Sequence, residues 1–219
     1  MRIREQYQNE MDELIQDIIS LANQAKKAFS DSIDALFNQD IELAKKIVED
    51  DKIIDKNEAA INDKVILMIA KQQPVATDLR RLIIALRVVT DLERIGDNAK
   101  NISKAAMRLG EDYQDELPRE LKIMRDHALV MLETAVSAFQ NEDIQTALKL
   151  ADMDDKVDKL YKQVVTDMLS KKAMNSDQVQ YVMQIAFSAR FIERTCDHIT
   201  NIGESIVFLV KGEIVDLND

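Results

Sequence analysis

Asp91-Leu92-Glu93-Arg94-Ile95-Gly96-Asp97-Asn98-Ala99-Lys100-Asn101-Ile102 returns one hundred residues later as Phe191-Ile192-Glu193-Arg194-Thr195-Cys196-Asp197-His198-Ile199-Thr200-Asn201-Ile202. Glu, Arg, Asp, Asn and Ile recur in register. Each copy carries an acid pair spaced i, i+4: Glu93 with Asp97, and Glu193 with Asp197. On a helix the two carboxylates of such a pair share one face and repel, at a cost of about a few tenths of a kcal/mol. A costly arrangement that appears twice in register calls for a cation, either a bound metal or a nearby Lys or Arg.

Working outward, the residues that precede the motif in each copy carry a second pair. Asp51 and Asp55 answer Asp154 and Asp158, 103 positions apart. The turn Phe37-Asn38-Gln39-Asp40-Ile41 answers Phe139-Gln140-Asn141-Glu142-Asp143-Ile144 with one residue inserted. The chain is therefore a duplication of a unit of about one hundred residues, each unit bringing two acid pairs on consecutive helices.

Apolar spacing predicts six helices, over about 4–37, 41–72, 78–109, 119–140, 144–173 and 177–211. Leu14, Ile18, Leu21, Ala25, Ala28, Ser32, Ala35 and Leu36 form the stripe of the first. Ile47, Ile54, Ile61, Val65 and Met68 form that of the second, and Leu150, Val157, Val164 and Met168 that of the fifth. Asp40, Thr77 and Asp143 are expected N-caps, and Pro74, Gly110 and Gly212 are expected stops. The break from Glu111 to Pro118 divides the chain into residues 1–112 and 113–219. The fold class is all-α, a tandem repeat of two three-helix bundles.

A helical wheel sets Asp51/Asp55 and Asp154/Asp158 at the shoulder of their core stripes. It turns Glu93/Asp97 away from the stripe Ala85, Val88, Leu92, Ile95, Ala99 and Ile102, toward a groove or solvent. Two acid pairs on neighbouring antiparallel helices, with Asn101 or Asn201 one turn on, make an oxygen-rich cation site. Iron, manganese and magnesium suit such ligands, and zinc suits them less well. Neutralisation by Lys52, Lys56, Arg94 or Lys100 is the competing reading. Cys196 stands in for Gly96 as a small packed residue. His198 reads as a surface or capping group, and His127 is given no role. Arg80, Arg81 and Arg87 are either surface side chains or a partner contact. Met168, Met174 and Met183 read as core filler.

Among the 219 residues, 46% are hydrophobic, 5% aromatic and none is Trp, which suits an aliphatic helical core. The net charge of −11 argues against a binder of nucleic-acid backbones. The single Cys excludes an internal disulfide and a Cys-rich zinc site. The polar start argues against a signal peptide, and no apolar run reaches the ~18 residues of a membrane span. A cytoplasmic protein without direct membrane insertion is expected, and a homodimer fits the apolar stripes.

Leu-Glu-Arg-Ile-Gly-Asp with Asn-Ile, doubled, each copy with an acid pair one helix earlier, together with the lead-in Pro74-Val75-Ala76-Thr77-Asp78-Leu79-Arg80, resembles the PhoU family along the whole chain. The resemblance implies two bundles side by side and metal clusters held by Asp51, Asp55, Glu93 and Asp97, and by Asp154, Asp158, Glu193 and Asp197. It implies a regulator, not an enzyme, that restrains phosphate uptake by the Pst ABC transporter and phosphate-starvation signalling through the Pho regulon. The implied partners are the transporter ATPase PstB and the sensor histidine kinase PhoR. The second copy departs from the pattern at Phe191, Thr195 and Cys196, and the first has Asn98 where the family often has His. Two alternatives stay open: a di-metal carboxylate oxidase and a metal-free helical scaffold. The oxidase lacks its Glu-x-x-His ligands, because Met124 and Thr195 stand three residues before His127 and His198.

Overall fold

In the computed structural model, which describes residues 2–110, 113, 116–170 and 176–218, the chain forms six helices. They are α1 (Arg2–Asn38), α2 (Ile41–Gln72), α3 (Ala76–Leu109), α4 (Glu120–Asn141), α5 (Ile144–Ser170) and α6 (Ser176–Lys211). The fold class is the one expected. Asp40 caps α2 by accepting the Leu43 N–H at 2.9 Å. Asp143 caps α5 by accepting the N–H groups of Gln145 and Thr146. Gly110 and Gly212 adopt φ of +75°, and their N–H groups return to the carbonyls of Ala106 and Phe208.

One expected cap is corrected. Thr77 does not cap α3; extended Val75 precedes the helix and makes no side-chain cap bond. Pro74 fixes the approach, and Ala76, at φ +49°, makes the turn one residue earlier than the capping pattern suggests.

Each unit is a bundle of three consecutive helices. α3 packs on α1 and α2, and α6 packs on α4 and α5. The most extensive contact in the molecule, however, is between α3 and α6, and α1 also touches α4. One continuous cluster of buried side chains, from Leu14 and Phe29 through Leu92 and Ile95 to Ile192 and Ile199, runs through both units. Burial on this scale, at ~25 cal/mol per Å² of apolar surface, outweighs the weak propensities of Val and Ile in helices.

The division at 112/113 falls where Glu111, Asp112, Gln114 and Asp115 lie outside the described residues. Beside them, Tyr113 donates its hydroxyl to the Leu36 carbonyl at 2.7 Å, and Tyr181 donates to that of Glu116 at 2.8 Å. Met168 is buried as expected, whereas Met183 is half exposed on the outer face of α6, a correction to its reading as core filler. Met174 lies outside the described residues.

Candidate metal centre

Gly96 decides how closely α2 approaches α3. A Cβ there would meet Ile54 Cδ1 at 3.0 Å, so the helices touch backbone to side chain, and the Asp51 carboxylate is brought alongside. Asp51, at the shoulder of its stripe, is only 5% exposed and lies against α3. Asp55 is exposed, Glu93 and Asp97 are half-buried, and Asp55 and Glu58 on α2 both act electrostatically on Glu93.

Lys100 binds this first cluster together. Its ammonium donates to Asp51 Oδ2 across the helix interface and to Asp97 Oδ1 at 3.2 Å on its own helix. Arg94 adds a bond to Asp97 Oδ2 at 2.9 Å and a longer contact to Glu93 Oε2 at 3.4 Å. Lys52 and Lys56 stay exposed. Burial nevertheless raises the Asp51 carboxyl above its ordinary range against the pull of Lys100, and raises Glu93 as well. The hydrogen bond to Asp51 raises Lys100 in turn, so its charge is held firmly.

The second cluster repeats the acids without that lysine. Asp154 and Glu193 are each 7% exposed, and Asp158 and Asp197 are half-buried. Glu193 is thus more deeply buried than Glu93, its counterpart in the first copy. Arg190 pairs with Glu193, and Lys162 reaches Asp158 only at 3.5 Å. Thr200 stands at the position of Lys100; its hydroxyl donates to the Asp197 carbonyl at 2.7 Å and lies against the Asn218 side-chain amide. Burial and then the charge of neighbouring acids push Asp154 up to about 7, and burial and then Asp197 push Glu193 up to about 7. Asp197 is also raised, first by burial. Cys196 is fully buried, as a packed residue should be; burial and then the nearby charge of Asp154 hold its thiol neutral.

Other candidates are drawn elsewhere. His198 is neither a surface nor a capping group: its Nδ1 lies 3.0 Å from Asp91 Oδ1, across the α3–α6 seam. Asn201 donates its Nδ2 to the same oxygen at 3.3 Å. The buried Asn98 donates to Thr195 Oγ1 across the same seam. Arg81 clamps Glu142 with two bonds, of 2.7 and 3.2 Å, and Arg87 stacks over Phe208. These contacts link the two units, with the Arg87 side chain still exposed. The roles of Glu58 and Arg190 escaped the sequence reading. Arg190 had a local signal, its i, i+3 spacing to Glu193; Glu58 had none.

As they stand, no three or more His, Cys, Asp or Glu side chains among the described residues form a ready metal-ligand group. The donor chemistry nonetheless fits a cation. Asp51 Oδ1, Glu93 Oε2, Asp154 Oδ1 and Glu193 Oε2 are buried and accept no hydrogen bond. Buried oxygens of this kind are normally satisfied, and hard oxygen donors suit magnesium, manganese or iron.

A tandem all-α repeat with acid pairs on neighbouring helices defines a class of two-bundle carboxylate proteins. The PhoU domain model matches residues 18–106 and again 121–206, and the chain belongs to the PhoU family. It is 34% identical over 217 residues to the phosphate-specific transport system accessory protein PhoU homolog of Clostridium acetobutylicum, covering 99% of each chain. It is 33% identical over 208 residues to the accessory protein PhoU of Escherichia coli, covering 95% of this chain and 86% of that one. The crystal structure of the phosphate transport system regulatory protein PhoU from Streptococcus pneumoniae superposes with a TM-score of 0.89 at 28% identity, covering 96% of this chain and 99% of that one. These relatives are named as accessory or regulatory proteins and not as enzymes, in agreement with the expectation that this chain is not an enzyme.

Proposed function

We propose that this chain is a regulatory accessory protein of phosphate transport that works by docking helical surfaces onto its partners, with no chemistry of its own. The observation that carries the reading is the match along 99% of the chain to a relative named for that role, with both repeats included. On this reading it restrains uptake through the Pst transporter and keeps phosphate-starvation signalling low. The partners would be the transporter ATPase PstB and the sensor kinase PhoR, and the chain would act as a cytoplasmic homodimer. Among the described residues no helix is long and apolar enough to cross a membrane, which suits such an adaptor.

Metal binding is the second part of the proposal, supported by the four orphaned carboxylate oxygens. Asp51, Asp55, Glu93 and Asp97 would hold one cation site, and Asp154, Asp158, Glu193 and Asp197 the other. A bound cation would neutralise the repulsion within each cluster and lock α2 to α3 or α5 to α6, setting the docking surfaces.

Two experiments test the parts separately. Pull-down of the folded chain with the ATPase subunit should succeed, and consistent failure would count against the adaptor role. Elemental mass spectrometry of protein purified without chelator should find metal, and Glu93→Ala/Asp97→Ala together with Asp154→Ala/Glu193→Ala should empty it. A metal-free wild type with an intact helical spectrum would sink the metal claim and leave the adaptor role standing.

A further inference from the structure

The two acid clusters are treated as equals by their spacing, but the structure separates them by what lies between the carboxylates. In the first cluster the Lys100 ammonium bridges Asp51 on α2 and Asp97 on α3, where a cation joining the two helices would sit. Arg94 takes the remaining oxygen of Asp97. In the second cluster Thr200 occupies the corresponding position, donates its hydroxyl to a backbone carbonyl and lies against the Asn218 amide. Arg190 holds Glu193 by one oxygen, and Lys162 touches only the outer acid, Asp158. Asp154 has no cation and no hydrogen-bond partner among the described residues, although it is 7% exposed and feels the charges of Asp197, Asp158 and Glu193.

We infer that Lys100 is the resident cation of the first cluster and that a divalent metal ion loads the second cluster first, through Asp154, Asp158, Glu193 and Asp197. This rests on the proposed metal binding and makes it site-specific. The physical reason is competition. A metal entering the first cluster must displace an ammonium held by two carboxylates, one of them buried. A metal entering the second relieves carboxylates that no ammonium bridges, and a buried charge without a partner is the most costly kind.

The test is titration of the chelator-stripped full chain with Mn²⁺ by calorimetry, with stoichiometry checked by elemental mass spectrometry. Wild type should show a tight class of binding that survives Glu93→Gln/Asp97→Asn and disappears in Asp154→Asn/Glu193→Gln. Lys100→Gln, which keeps a hydrogen-bond donor for Asp51 but removes the charge, should add a second class and tighten the first cluster about tenfold or more. Should Asp154→Asn/Glu193→Gln fail to fold by circular dichroism, Asp158→Asn/Asp197→Asn serves in its place. Tight binding that follows Glu93 and Asp97 instead, or equal binding at both clusters that Lys100→Gln does not change, would overturn this inference while leaving the metal reading intact. No binding to any of these proteins would overturn both.

Discussion

The α2–α3 cluster and the α5–α6 cluster began as one sequence and have reached different electrostatic solutions. In the first, Gly96 lets Ile54 press against α3, and Lys100 turns the repulsion of Asp51 and Asp97 into a salt bridge across the helix pair. In the second, Cys196 fills the space, Thr200 replaces the lysine, and Asp154 is left buried without a counter-charge. Two clusters with the same acids at the same spacing therefore differ in whether a side-chain cation already bridges the two helices. The first is partly neutralised by the fold, with Asp51 Oδ1 and Glu93 Oε2 still accepting no hydrogen bond; the second gains most from an ion supplied from outside.

The sharpest way to break the comparison is Lys100→Ala. It strands the Asp51 carboxylate inside the interface and should cost about 3 kcal/mol of stability in denaturant unfolding, the lower end of the range for a broken buried pair because Lys100 is partly exposed. Thr200→Ala at the matching position should cost about 1 kcal/mol, the loss of a neutral hydrogen bond. Equal losses would remove the asymmetry.

The pH dependence of the chelator-treated protein comes next in size. Asp154 and Glu193 titrate near 7 in the folded chain, against ordinary values of 3.8 and 4.5. The folded state therefore binds extra protons between those limits, and stability falls as pH rises from about 4 to about 7, then levels off. The fall is on the order of a few kcal/mol. Thermal melts at pH 5 and pH 8 check it; Asp154→Asn should flatten the profile and raise the melting temperature at pH 8.

A smaller effect is expected at the seam. His198→Ala removes the bond to Asp91 and should destabilise by about 1 kcal/mol, with α2 and α5 unaffected in amide exchange. The smallest change is Arg94→Ala. Its guanidinium is exposed, so the loss should stay below about 1 kcal/mol and shrink further in high salt. A larger cost would mean that Arg94, and not Lys100, holds the first cluster together.

Much of this could be read from the order of residues. Apolar stripes and turn residues placed the helices to within a few residues, because the core-facing period of 3.6 is a local property. Asp40 and Asp143 announced their caps because a short acidic side chain just before a stripe reaches the free N–H groups of its own first turn. Thr77 misled for the same reason: its side chain suits a cap, but Pro74 and the turn at Ala76 start the helix before it. His198 and Asn201 were placed on the right helix, but their partner, Asp91, lies more than one hundred residues away across α3 and α6, and no spacing rule reaches that far.

The sequence by itself determined the duplication, the helices and the four i, i+4 acid pairs, since each depends on neighbours within a turn or two of the same helix. Only the tertiary structure decided which of those acids are buried, that Lys100 crosses to Asp51, and that Asp154 has no such partner. Desolvation and counter-charge are set by atoms that other helices bring within a few ångströms. Two copies of one motif can therefore match along the chain and still differ in whether a cation of their own bridges the helices.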